Sequence, residues 1–206
     1  LAEELKRTPE RILPERYRNE VLAMLGGDAL GDLCISRPKS RLSWGIELPF
    51  DDRYVAYVWC DALTNYVTAL RRLRPEQFDA WWPETRHIIG KDIVKPHGVF
   101  WPTMLMSAGL PLFKGLRVHG YWTRGESKMS KSLGNVIRPL DMKQRYGMDA
   151  FRYFLLREMA FGQDATFSED AFVTRVNADL ANNLGNLAQR SLSMIAKNCH
   201  GLVPRR

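Results

Sequence analysis

The 206 residues carry 30 Lys and Arg against 23 Asp and Glu, a formal charge of +7, with 45 % hydrophobic and 26 % charged side chains. That length can bury a real core without a disulfide or metal staple, and it allows one domain and the start of a second. No apolar run nears the ~20 residues of a membrane span, which excludes a membrane reading. Cys34, Cys60 and Cys199 form no C-x-x-C pair, which excludes a zinc ribbon or a redox dithiol; they read as free thiols of a reducing compartment, the cytoplasm. The opening Leu-Ala-Glu-Glu-Leu reads as the interior of a longer protein and not as a signal peptide.

In chain order, the pattern predicts a helix over Arg16–Leu25, with Tyr17, Val21, Leu22 and Leu25 on one face and Gly26-Gly27 as its stop. Asp32–Ser36 predicts a short strand. Arg37–Arg41 predicts a basic turn, because the residue before Pro38 is pushed out of helical space. Arg53–Trp59, rich in aromatic and β-branched residues, predicts a buried strand leading into a helix over Asp61–Leu70. His87–Gly90 and Leu116–His119 predict two further strands, separated by a helix over Pro96–Ala108. This alternation predicts an α/β fold with βαβ units and a parallel sheet. Ligands bind such sheets at the carboxyl ends of the strands, where Trp59, Gly90 and Gly120 are expected.

Beyond Gly120 the texture changes. Residues 123–139, rich in Gly, Ser and Lys, predict a long loop, and Asp149–Arg157 a helix capped by Asp149. Ser168 opens a long final helix with Glu169 and Asp170 in its first turn, which suits the helix dipole. Its stripe of Val173, Val176, Leu180, Leu184 and Leu187 cannot be buried by one helix, so further helices are expected after it. Residues 121–206 hold 13 basic and 8 acidic side chains, whereas residues 1–50 hold eight of each. The positive field of the last segment suits either a polyanionic partner or a solvated basic face.

Lys128-Met129-Ser130-Lys131-Ser132 is the most specific signal. Two lysines three residues apart, between Gly125 and Gly134, give compact charges on flexible stems, suited to a triphosphate that becomes a leaving pyrophosphate, although lysines in a loop by themselves read first as a solvated linker. Trp59, Tyr66, Ile93, His97, Phe100 and Trp101 form helical stripes that spacing alone assigns to core before a pocket, although a histidine amid aromatics needs a polar partner.

The five residues Lys128–Ser132 match the KMSKS signature of class I aminoacyl-tRNA synthetases. Val58–Tyr66 (VWCDALTNY), His87–His97 (HIIGKDIVKPH), Val99–Leu105 (VFWPTML) and Val118–Tyr121 (VHGY) resemble the methionyl-tRNA synthetase family in order and spacing, from about Tyr17 to Cys199. The resemblance implies the second half of a Rossmann-like catalytic domain over residues 1–120. It further implies a mostly helical stem-contact region with the KMSKS loop over 121–167, and the start of an anticodon-binding helical bundle over 168–206. It implies catalytic roles for Lys128 and Lys131, and ATP contacts from Gly90, Asp92, His119, Ser130 and Lys131. The methionine pocket it implies is Trp59, Ala62, Leu63, Tyr66, Ile93, His97, Phe100 and Trp101, with Tyr66 and His97 hydrogen-bonding to the sulfur. Asn186 and Arg190, four apart on one helix face, are implied as anticodon contacts.

The implied activity is ATP-dependent formation of methionyl-adenylate and transfer to tRNA(Met), with ATP and its Mg²⁺ as cofactors and no zinc site. The family's HIGH motif does not occur in this sequence, so an N-terminal half of the same enzyme is an expected partner. Asp92 could equally be a helix cap, Arg37 reads more simply as a surface arginine than as one reaching the active site, and His87, His119 and His200 read as structural rather than catalytic, with His119 at a strand end near the nucleotide. Two rival readings are a sister class I synthetase for another amino acid and a catalytically incomplete tRNA-binding fragment.

Overall fold

Two units divide the chain, Leu1–His119 and Gly120–Arg206. The computed structural model describes residues 1–27, 30–125, 127–130 and 134–203, with Ser127 and Lys128 described through their backbone. No helix among the described residues is long and apolar enough to cross a membrane.

The first unit opens with α1 (Ala2–Arg7), β1 (Ile12–Leu13) and α2 (Glu15–Gly26). After β2 (Ser36–Pro38), β3 (Glu47–Leu48) and β4 (Asp51–Ala56) come α3 (Val58–Leu73) and the short α4 (Phe78–Trp81). The chain then runs through β5 (Arg86–Gly90), a 3₁₀ turn over Lys91–Ile93 and a wide helical turn over Pro96–Phe100. It continues into α5 (Trp101–Ser107) and β6 (Gly115–His119). β1, β6 and β5 form a parallel sheet in that order, with Ile12 opposite Leu116 and Gly90 opposite His119. The β5–α5–β6 crossover is the βαβ unit that the alternation predicts. Ile12, Val21, Leu63, Trp101, Leu105, Leu116 and Val118 are buried together and glue α2, α3 and α5 to this sheet.

Three expectations are corrected here. The strand expected at Asp32–Ser36 lies at Ser36–Pro38, so Arg37 and Pro38 belong to an edge strand, a tolerated place for proline. The buried parallel strand expected over Arg53–Trp59 ends at Ala56 and is the centre of an antiparallel sheet, β2-β4-β3. Of β4 only Val55 is fully buried, while Arg53 is exposed and forks onto Asp51 at 2.9 and 2.7 Å. Trp59 sits in the first turn of α3, not at a strand end. The ladder closes with the Tyr57 N–H donating to the Ile35 carbonyl at 2.8 Å, and the Tyr57 carbonyl already accepts from the Cys60 N–H at 2.8 Å.

The second unit holds β7 (Trp122–Arg124), β8 (Ser127–Lys128), α6 (Pro139–Tyr146), α7 (Met148–Glu158) and β9 (Ala165–Thr166). A long helix follows: α8 (Glu169–Arg175), wider turns over Val176–Gly185, and α9 (Asn186–Asn198). β7 pairs antiparallel with β8 and parallel with β9. Met142, Phe151, Phe154, Phe167 and Phe172 form the core of this unit. The loop expected over residues 123–139 therefore contains a hairpin, turned at Gly125 with φ of 62°. The cap expected at Asp149 is instead Gly147, at φ of 82°, and Asp149 lies in the first turn. Ser168 does cap its helix, its Oγ accepting from the Ala171 N–H at 3.1 Å. In that helix Phe172, not Val173, is buried, whereas Leu184 and Leu187 are exposed along the stripe.

Candidate active site

The carboxyl edge of the parallel sheet is built by two neighbouring strands. Their register sets Gly90, the last residue of β5, directly beside His119, the last of β6. Gly90 also caps the Lys91–Ile93 turn, and Asp92 is exposed in that turn. Three of the expected nucleotide contacts thus occupy one edge. Ser130 and Lys128 belong to the second unit, and Lys131 lies outside the described residues.

In the same unit, α3 and the stretch leading into α5 bring aromatic rings together around His87 of β5. The His97 ring is 5.8 Å from both Trp59, edge to face, and Tyr66. Tyr66 is 6.2 Å from Trp101 and 4.3 Å from His87. Leu63 is fully buried in the core behind the box, while Ala62, Ile93 and Phe100 are half-buried at its margin. Such tilted and edge-on contacts are the favoured geometries of ring quadrupoles.

The polar groups in this box have a fixed direction. His97 Nδ1 lies 3.0 Å from the Ile93 carbonyl oxygen. A carbonyl can only accept, so Nδ1 carries the hydrogen and Nε2 is the acceptor. The Tyr66 hydroxyl, 2.9 Å from His97 Nε2, therefore donates to it and keeps its own lone pairs free to accept. Burial lowers the pKa of His97, the Ile93 carbonyl opposing that only in part, and burial raises that of Tyr66. Both groups are neutral near pH 7.

His87 completes the arrangement. Trp101 Nε1–H donates to His87 Nε2 at 3.2 Å; an indole can only donate, so this ring too is neutral. Burial, followed by the neighbouring His97, pulls the His87 pKa down from 6.5 to about 4. Residue-by-residue reading assigned His87 a structural place, and its membership in the ring cluster was missed. The available signal was strand alternation: His87 and Ile89 of β5 point inward, Arg86 and Ile88 outward.

Tyr66 also lines an apolar cavity of about 470 Å³, walled by Leu70, Leu73, Trp81 and Trp82. Arg37 does not face the ring box. Its guanidinium donates to the Ser36 carbonyl at 2.8 Å and stacks 4.1 Å over the Tyr57 ring. In the second unit, Asn186 and Arg190 are exposed in the first turns of α9. The three cysteines are free.

A parallel α/β sheet with an aromatic box in the same unit, followed in the chain by the Lys128–Ser132 sequence, fits a class I tRNA synthetase. The family model described as tRNA synthetases class I (M) matches residues 2–192, and the chain belongs to that family. The methionine–tRNA ligase of Brucella suis is 56 % identical over 201 residues, and that of Mycobacterium tuberculosis 50 % over 198. These matches cover 96 % and 95 % of the chain but 38 % of each relative's length. Among solved structures, the Mycobacterium tuberculosis methionyl-tRNA synthetase in complex with methionyl-adenylate superposes with a TM-score of 0.84 at 48 % identity. It covers 98 % of this chain, which spans 40 % of that one. The free-state form of the same enzyme gives 0.80 at 44 %.

Proposed function

We propose that the chain is part of a methionine–tRNA ligase, comprising one wall of the methionine pocket and the KMSKS loop. The observation that carries this reading is the Tyr66–His97–Ile93 relay inside the ring box. A hydrophobic pocket separates neighbours one methylene apart by only about 1–3 kcal/mol. Rings that cradle a polarizable sulfur, with two oriented polar groups at hand, add discrimination against hydrocarbon isosteres. With Nδ1 held by Ile93, His97 offers no hydrogen to a ligand. The Tyr66 O–H can reach a thioether only by leaving His97 Nε2, so it is Tyr66 that donates when methionine binds.

In this reading the methionine carboxylate attacks the α-phosphorus of ATP, and pyrophosphate leaves. The terminal ribose hydroxyl of tRNA(Met) then attacks the acyl carbonyl, and AMP leaves. Lys128 and Lys131 stabilise the charge that grows on the phosphates. The Gly90–Asp92 turn and His119 receive the nucleotide, together with Ser130. Mg²⁺ would arrive on the ATP phosphates. Among the described residues no group of three or more His, Cys, Asp or Glu could hold a metal ion, and no step is assigned to one. Residues 1–120, 121–167 and 168–206 are the catalytic, stem-contact and anticodon-binding parts, with Asn186 and Arg190 reading unstacked bases. The HIGH-bearing half comes from the remaining length that the relatives possess, and the free cysteines suit the cytoplasm.

The test is amino-acid-dependent ATP–pyrophosphate exchange by the full-length protein. Methionine should drive it and isoleucine, leucine and valine should not. Exchange driven by another amino acid would transfer the chain to a sister synthetase, and salt-dependent tRNA binding without any exchange would leave it a tRNA-binding module.

A further inference from the structure

The long last helix of the second unit is held near its base by a brace of polar groups. Phe172 and Val176 pack against the aromatic core of the unit, and from Val176 to Asn198 no residue is buried. Three side chains of α7 meet two of the long helix at this point. The Tyr153 hydroxyl donates to Asp179 Oδ2 at 2.9 Å, and Arg157 Nε lies 3.5 Å from the same oxygen. Arg175 Nε donates to Glu158 Oε2 at 2.8 Å, and its Nη1 lies 3.8 Å from Asp179 Oδ2. The Asp179 side chain is only 21 % exposed, so these contacts are shielded from water and hold more firmly than an open surface pair. Asp179 itself sits in the wide turns over Val176–Gly185. Helices bend at such turns because the regular hydrogen-bond ladder is broken there. The direction of the helix beyond is then set by whatever holds the turns.

We infer that Asp179, clasped by Tyr153 and Arg157 of α7, is a positioning residue for anticodon reading, setting the direction of the helix that presents Asn186 and Arg190. The inference rests on the ligase reading above, in which those two residues read bases. Arg190 stands eleven residues beyond Asp179, which is roughly 15 Å along the helix. A tilt of about 10° at Asp179 would move it by roughly 2.5 Å, whereas a hydrogen bond tolerates a spread of about 0.5 Å. The brace is suited to hold an angle because its contacts converge on one carboxylate from two sides. Tyr153 and Arg157 come from α7, one turn apart, and Arg175 comes from the preceding turn of the helix itself. Without that carboxylate the hydroxyl loses its acceptor, and two guanidinium groups of like charge stand side by side.

The experiment uses the full-length protein carrying Asp179→Ala or Tyr153→Phe. Methionine-dependent ATP–pyrophosphate exchange, which needs no tRNA, is compared with charging of tRNA(Met) and of the same tRNA with altered anticodon bases. Exchange should stay within about twofold of the parent in both variants, because it uses no group of this helix. For tRNA(Met), kcat/KM should fall about tenfold in Asp179→Ala, as expected for a lost contact between a charged group and a base. It should fall about threefold in Tyr153→Phe, which removes one hydrogen bond and keeps the ring. Charging of the altered tRNA should hardly change, so the ratio between the two substrates narrows; a merely structural defect would lower both alike. In an Asn186→Ala, Arg190→Ala background Asp179→Ala should cost little further. If Asp179→Ala loses exchange and melts early, Tyr153→Phe decides alone. An active parent whose variants keep its ratio, or lose as much with the two readers already removed, overturns the inference alone. A parent that charges both tRNAs alike overturns the anticodon assignment, and one without methionine-dependent exchange overturns the ligase reading, each taking this inference with it.

Discussion

Acidification should destabilise the first unit through one buried ring, His87. The ring is almost wholly buried, and it accepts a hydrogen bond from Trp101, which only its unprotonated Nε2 can do. The titratable groups facing it are His97 and Tyr66; neither offers a negative charge near neutrality. Its pKa is about 4 in the folded protein, mainly from burial, against 6.5 in the open chain. Between these values the unfolded state binds a proton that the folded state refuses, so stability rises with pH across that window. This contribution is intact above about pH 6.5, declines as pH falls, and is fully lost by about pH 4. At about 1.36 kcal/mol per pH unit the loss is on the order of 3 kcal/mol. His87→Gln removes the titration while keeping an acceptor for the Trp101 N–H. Urea unfolding of parent and variant should be followed from pH 7.5 to 4, and the difference between their stabilities plotted against pH. The variant is expected to lose less on acidification, with a residual slope from His97, whose pKa is displaced in the same direction. Parallel profiles would show that His87 takes up its proton without cost, and the burial argument would fail.

Two other outcomes are expected from the geometry. Tyr66→Phe leaves His97 Nε2, buried with its ring, without a donor; a lost partner of this kind costs about 1–3 kcal/mol. The variant should melt several degrees lower, and KM for methionine should rise more than kcat falls. Gly120→Ala should be far more damaging, because a Cβ there would stand 2.2 Å from the Gln163 carbonyl oxygen, a backbone atom that cannot swing aside. Circular dichroism and the melting transition should show the second unit disrupted; a variant that melts like the parent would disprove that contact.

Legibility in the sequence followed the range of the interactions involved. Helix α3 and the Ser168 cap were readable because their signals are local: apolar side chains one turn apart, a hydroxyl three residues before an N–H. The strands β5 and β6 were readable because both are short runs rich in β-branched and apolar residues between turn signals. Residues 53–59 misled because aromatic and β-branched residues suit any half-buried pleat. Whether such a segment joins a parallel core sheet or an antiparallel satellite depends on its distant partners, here Ser36–Pro38 and Glu47–Leu48. β1 has two residues, too few to show a period.

The candidate site divides in the same way. The box residues Trp59, Tyr66, His97 and Trp101 and the lysines of the loop were named by resemblance to a known family, since spacing alone left the aromatic stripe as ordinary core. By itself the sequence could not say which nitrogen of His97 bears the hydrogen, that His87 is held neutral among rings, or that Tyr153 reaches Asp179. Those are outcomes of distance and burial. A proton's position is fixed by the carbonyl or indole that folding places within 3 Å or so of a ring nitrogen, and a pKa by the water that folding removes, and neither neighbour need be close in the chain.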